Sequence, residues 1–214
     1  MPDILIVVAT ALEAERLPAL PNARVVVSGI GAVGAALATQ RAVLESAPAL
    51  ILSAGIGGAY PWGATDIGDV VVSSELIYAG LGAEDGERLL NLEQLGFPLL
   101  EMPERVYNTF TAAPQAREFA RVTSAHLGAI LTLETVTGSR WSLERLRLIY
   151  PDALCEAMEG AGVAHAAALH GIPALEIRGI SNMVLDRRER ASWRIGAALT
   201  ALHTALEMGW DALG

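Results

Sequence analysis

The chain is predicted to form an α/β fold, a three-layer αβα sandwich with a twisted, mostly parallel (mixed) central sheet. Three features predict it. Short apolar runs alternate with alanine- and leucine-rich stretches of helical period. Most of the runs lack polar alternation, as strands buried on both faces do. Proline or glycine stands where helices should stop, at Pro48, Pro151 and Gly171. The strand runs are residues 4–9, 25–28, 50–53, 70–73, 129–133 and 174–180, and the helical stretches are 32–47, 115–123, 143–149, 160–169 and 191–205. No internal repeat divides the 214 residues, so 1–214 reads as one domain. Segment 80–114 breaks the rhythm with Gly, Pro and acidic residues around Phe97, Tyr107 and Phe110. A segment of that kind reads as a flap over a site or as interface material.

Composition supplies the core and excludes several chemistries. Hydrophobic residues make up 52% and charged residues 18%, which rules out a disordered chain. The net charge of −9 speaks against nucleic acid as a partner, because that binding needs Lys and Arg on phosphates. All 15 basic residues are arginine, so neither a P-loop lysine nor a lysine Schiff base is available. The single cysteine, Cys155, excludes an intrachain disulfide and a cysteine-rich zinc site, and fits a reducing compartment. Residues 4–9 follow Asp3 with no basic leader and read as a first strand. With no uninterrupted apolar stretch of about 18 residues, no membrane span is expected. The expectation is a soluble, cytoplasmic protein.

Glycine clusters and acids in apolar surroundings carry the functional signal. Gly29-Ile30-Gly31-Ala32-Val33-Gly34 has the dinucleotide-binding pattern, but it follows the second strand, and Ala54-Gly55 stands where a ribose-binding acid belongs. What remains is a backbone that lets a ligand approach a helix N-terminus. Ser53-Ala54-Gly55-Ile56-Gly57-Gly58-Ala59 ends the neighbouring strand, and two such turns together make a crevice at the strand ends. Asp69 reads as a turn residue. Glu13 and Glu15 follow the first strand, while Glu156 and Glu159 lie within 153–161, and Glu159 precedes an uncharged helix. A carboxylate there is either a helix-dipole partner or a buried group that needs partners of its own. Asn182 is either a helix N-cap or a neutral donor and acceptor aimed into the crevice. His165 and His170 are not spaced for metal ligation on one helix face, and neither H-E-x-x-H nor G-x-S-x-G occurs.

In order along the chain, several pieces resemble the nucleoside phosphorylase and nucleosidase superfamily: Thr10 to Glu15, Ser28-Gly29-Ile30-Gly31, Ala54 to Gly58, Gly68 to Ser73, Ala157-Met158-Glu159-Gly160-Ala161 and Arg178-Gly179-Ile180-Ser181-Asn182. Within it, Tyr78 to Gly86, Leu95-Gly96-Phe97-Pro98 and the ending Ser181-Asn182 are similar to the futalosine hydrolase subfamily; the methylthioadenosine/S-adenosylhomocysteine nucleosidases carry Asp at that last position. The sequence departs from the subfamily at Gly80, where an aspartate is expected, and from related nucleosidases at Ile56, where a hydroxyl residue is expected.

The resemblance implies hydrolysis of the N-glycosidic bond of futalosine, giving hypoxanthine and dehypoxanthine futalosine on a route to menaquinone. It implies no metal and no organic cofactor, a small purine nucleoside as partner, and a homo-oligomer. The catalytic set it implies is Glu15 as the base on water, Glu159 on the ribose hydroxyls and Asn182 at the purine. The substrate-binding set is Glu13 (the alternate base), Gly31, Gly57, Thr135, Val136, Met158, Arg178 and Ser181. Arg105, Arg140 and Arg187 are candidates for the substrate's carboxylate. An amide at 182 can donate to N7 or O6 of a 6-oxopurine, which an ionised Asp could not. Other readings stand beside this one: an adenine nucleosidase, an inosine phosphorylase, a non-catalytic purine sensor and, last, a nicotinamide enzyme.

Overall fold

The computed structural model describes residues 3–86, 88–184 and 193–214. In chain order these form β1 (Ile4–Val8), α1 (Ala11–Arg16), β2 (Ala23–Val27), α2 (Ala32–Glu45), β3 (Leu50–Ala59) and β4 (Val70–Tyr78). Next come β5 (Ala83–Asp85), β6 (Arg88–Leu90), α3 (Leu92–Leu95), β7 (Thr109–Thr111), α4 (Gln115–Thr123) and β8 (His126–Thr132). The chain continues through α5 (Arg140–Ile149), β9 (Ala153–Ala157), α6 (Gly160–Leu169), β10 (Ala174–Met183) and α7 (Ile195–Gly209).

Every residue of β1 is buried, and its side chains alternate between two cores. Ile4, Ile6 and Val8 pack with Phe119 of α4 and Leu202 and Leu206 of α7. Leu5 and Val7 pack on the other face with Ala35 and Ala42 of α2 and Val163 and Ala167 of α6. Helices therefore cover both faces of the sheet. Its order is β10-β4-β8-β9-β3-β1-β2, with β7 beside β4, and β10 pairs with β3 as well. That extra pairing closes β3, β10, β4, β8 and β9 into a ring, from which β1 and β2 continue as an open extension. Most pairs are parallel; β10 with β4, β3 with β9 and β4 with β7 are antiparallel. Closure depends on β3 and β10 being ten residues each, long enough for β3 to hold β1, β9 and β10 along its length.

Where α6 crosses α2, the backbones approach so closely that a Cβ at Gly162 would overlap the Ala32 carbonyl. Gly162→Ala should lower stability by about 1–3 kcal/mol, read as a lower denaturant midpoint at unchanged m-value.

The structure departs from the sequence expectations in five places. Residues 54–59, read as a turn, continue β3. Residues 153–157, unassigned from sequence, form β9, and 11–16 form α1. Segment 80–114 holds the β5–β6 hairpin, α3 and β7, and β7 joins the main sheet. Within the helix expected over 191–205, α7 begins at Ile195, while 191 and 192 lie outside the described residues.

Candidate active site

The strand ends of β3, β9 and β10, the loop after β8, and the starts of α1 and α7 surround a cavity of about 270 Å³. None of the described residues of 80–114, expected as a flap or as interface material, lines it.

Glu13 enters the cavity because of how α1 begins. Thr10 is the N-cap and Glu13 the third helical residue, and the two form a capping box. The Thr10 amide and hydroxyl each donate to Glu13 Oε2 at 2.9 Å, while the Ile56 amide donates to Oε1 at 3.1 Å. The bonds that start the helix thus also fix the carboxylate. Glu15, the expected base, is exposed and does not line the cavity. Two residues along a helix turn the side chain about 200°, so only one of these acids can face inward. Of the two acids, Glu13 is the one that faces the cavity.

Arg178 lies beneath the cavity, 1% exposed, with carboxylates on several sides. Its Nε donates to Glu176 Oε1 at 2.7 Å, and Nη2 lies 3.2 Å from Glu159 Oε2 and donates to Ser53 Oγ at 3.1 Å. A Cβ on Gly55 would stand 2.5 Å from Glu13 Oε1 and 2.6 Å from Arg178 Nη1, so the missing side chain is what lets these groups meet. Burial alone would lower the Arg178 pKa, but Glu176, Glu159 and Glu13 together hold it above its ordinary value.

Glu159 occupies the N-cap position of α6 without a side-chain capping bond. Its carboxylate turns instead to the Gly31 amide, which donates to Oε1 at 3.1 Å, and to Arg178. The first glycine turn therefore serves this acid: Gly31, at φ +98°, offers its N–H to a carboxylate rather than to a phosphate. Gly31 itself does not line the cavity, whereas Gly57, Val136, Met158 and Ser181 do. Thr135 is exposed outside it, because the chain leaving β8 turns Val136 and Thr137 inward in its place.

A bulge shapes the purine-side candidate. Ile180 pairs with Gly57 and Asn182 with Gly58, so Ser181 is the extra residue in β10. The shift lets the adjacent Ser181 and Asn182 both line the cavity, which strict alternation would forbid. The Ser181 hydroxyl donates to Asn182 Oδ1 at 2.8 Å, which leaves Nδ2 as the donor end of the amide. Gly58 also pairs with Glu156 of β9. Asn182 and Glu156 therefore flank one glycine in a row across three strands, with roughly 9–10 Å between their backbones.

Glu156 was quoted in the sequence but given no role, and it lines the cavity. Tyr60 Oη donates to its Oε2 at 2.9 Å, and Thr137 donates from its amide at 2.8 Å and from its hydroxyl at 2.5 Å. Burial, and then the neighbouring Glu156, push the Tyr60 pKa well up, so the phenol stays a donor. The signal that could have found Glu156 is an acid at a buried position within an alanine-rich strand. Arg105 pairs with Glu101 on the surface and Arg140 is exposed; neither lines the cavity, and Arg187 lies outside the described residues. Among the described residues, no cluster of His, Cys, Asp and Glu is placed to hold a metal ion, and no helix is long and apolar enough to cross a membrane.

The sequence profile of the phosphorylase superfamily matches residues 4–206. Futalosine hydrolase of Streptomyces coelicolor is 42% identical over 185 residues, covering 84% of this chain and 74% of that protein. Futalosine hydrolase of Thermus thermophilus is 34% identical over 181 residues, covering 84% and 77%. In fold, the chain is similar to the S-adenosylhomocysteine nucleosidase of Streptococcus pyogenes, solved with 5-methylthiotubericidin, at a TM-score of 0.81 and 20% identity over 100% of this chain and 98% of that one. The chain belongs to the phosphorylase superfamily, and within it its sequence similarity runs to the futalosine hydrolases.

Proposed function

We propose that the protein hydrolyses the N-glycosidic bond of futalosine, releasing hypoxanthine and dehypoxanthine futalosine for a route to menaquinone in the cytoplasm, as a homo-oligomer. The observation that carries this reading is the meeting of Glu13, Glu159 and Asn182, far apart in sequence, on one cavity.

Glu13 takes the proton of the attacking water, whose oxygen bonds to the ribose carbon as the bond to the purine breaks. Glu159 accepts hydrogen bonds from the ribose hydroxyls, and its charge offsets the positive charge that grows on the sugar. Met158 packs against the ribose. The bonding electron pair leaves with the purine, where Asn182 Nδ2 donates to N7 or O6. On the far side of Gly58, Glu156 accepts the N1–H that a 6-oxopurine carries and an adenine lacks. A purine with a hydrogen bond at either side fills the Asn182–Glu156 span. An adenine would set its N1 lone pair against that carboxylate. Water is favoured over phosphate because Arg178, the basic residue among the described cavity lining, is already engaged by Glu176 and Glu159.

The test is to incubate the protein with futalosine, inosine and methylthioadenosine, with and without phosphate, and to follow the free base. Hypoxanthine released from futalosine without phosphate is the expected result. Adenine as the main product, or no release from any of the three, overturns the reading. Asn182→Asp should reduce futalosine cleavage about 5- to 150-fold, the equivalent of the 1–3 kcal/mol that a mismatched buried polar pair costs. Circular dichroism should show the fold retained.

A further inference from the structure

The reaction proposed above leaves one buried acid without a part to play. Glu176 is 0% exposed and does not line the cavity. Its amide donates to Ser73 Oγ at 2.8 Å, and its Oε1 accepts from Arg178 Nε at 2.7 Å. Its Oε2 has no hydrogen-bond partner among the described residues. That oxygen occupies the space where Gly160 has no side chain, and a Cβ there would overlap it.

One guanidinium thus serves three buried carboxylates, and they are not equally provided for. Both oxygens of Glu13 accept hydrogen bonds, from Thr10 and Ile56. Glu159 Oε1 accepts from Gly31, and its Oε2 is paired with Arg178. Only Glu176 keeps an oxygen without a donor. Donors to a carboxylate favour its ionised form, so a proton shared among the three settles where donors are missing. A buried hydroxyl without an acceptor is a smaller loss than a buried anion without a donor. The start of α6 would favour an anion, but its nearby amides are engaged: Ala161 donates to Thr132 Oγ1, and Gly162 and Val163 donate to the Glu159 carbonyl.

We propose that Glu176 carries a proton on Oε2 and acts as a neutral positioning residue. It holds Arg178 by Nε and leaves the cation's charge to Glu159 and Glu13. The proposal rests on the roles given above to those two acids. Its effect is to spare Arg178 a third negative charge. The other groups facing Glu176 are consistent with this. Burial pushes the Cys155 thiol on β9 well up, so it stays neutral. Ser53 of β3 and Ser73 of β4 are neutral, and Glu156 of β9 is held by Tyr60 and Thr137. Burial raises the Glu176 pKa against the pull of Arg178, and Glu159 adds to the rise.

Infrared spectra of the folded protein at neutral pH test the proton directly. A protonated-carboxyl stretching band present in the natural protein and lost in Glu176→Gln is expected; no such band, or one that survives the substitution, overturns the proposal. Melting temperatures against pH test the linkage. An acid whose pKa is raised by folding contributes stability below the ordinary carboxylate range and loses it as pH rises through the raised value. The melting temperature of Glu176→Gln should therefore gain on that of the natural protein as pH rises; a flat or falling difference overturns the proposal.

Turnover tests the positioning role. Glu176→Gln, whose amide oxygen can still accept from Arg178 Nε, should keep about tenfold more kcat than Glu176→Met, with KM little affected. Equal losses in the two variants, or no loss in Glu176→Met, overturn it. Should Glu176→Met fail to fold, the infrared and melting series on Glu176→Gln still decide. Those two measurements need no substrate, so they stand even if futalosine is not cleaved.

Discussion

Glu13→Gln is expected to lower kcat for futalosine by about 10²–10⁴-fold, the usual contribution of a general base. KM should change little, because the amide keeps the shape of the carboxylate and loses its ability to take a proton from water. Glu15→Gln should stay close to the natural rate, since that side chain is exposed outside the cavity. Release of hypoxanthine, measured for both variants under the same conditions, separates the two acids in one experiment. A larger loss at position 15 than at 13 would reverse the assignment.

Arg178→Met is the substitution expected to damage the fold most. Among the described residues it removes the cation that lies among Glu13, Glu159 and Glu176, which leaves buried negative charge without compensation. Breaking a buried ion pair in this way costs about 3–5 kcal/mol. In a chain of this size that corresponds to a fall of roughly 10 °C in melting temperature. A variant as stable as the natural protein from pH 4 to pH 8 would show that the three acids do not depend on this guanidinium.

The central strands were legible because burial on both faces leaves an uninterrupted apolar run, as in residues 4–9 and 50–53. Two strand segments that line the cavity were hidden, each for its own reason. Residues 153–157 are alanine-rich and carry Glu156, a composition that alone does not favour a strand. Residues 54–59 are rich in glycine, which read as a turn; the glycines are there because Glu13, Arg178 and Glu156 press against the backbone. Ring closure through β10 and β3 was not visible, since it depends on pairing between residues more than 120 apart.

The resemblance to the superfamily pointed to Glu159, Met158, Arg178, Ser181 and Asn182, and all five line the cavity. Glu13 rather than Glu15 faces the cavity because of a capping box, in which the third helical residue turns back toward Thr10. From sequence, Thr10 followed by an acid three positions on is the signature of that motif, and it singles out Glu13. Glu176 was read only as part of a strand, and its isolation is apparent only once Gly160 is seen beside it.

The extra residue in β10 separates two tasks within a few positions. Arg178 precedes the irregularity and keeps the regular register with Gly55, while Asn182 follows it and is displaced by one step. Lengthening or shortening the chain at Ser181 would rotate the amide out of its row and leave the guanidinium where it is. Relatives of this protein could therefore acquire a taste for a different nucleobase through changes after residue 180, with the bond-breaking apparatus inherited intact.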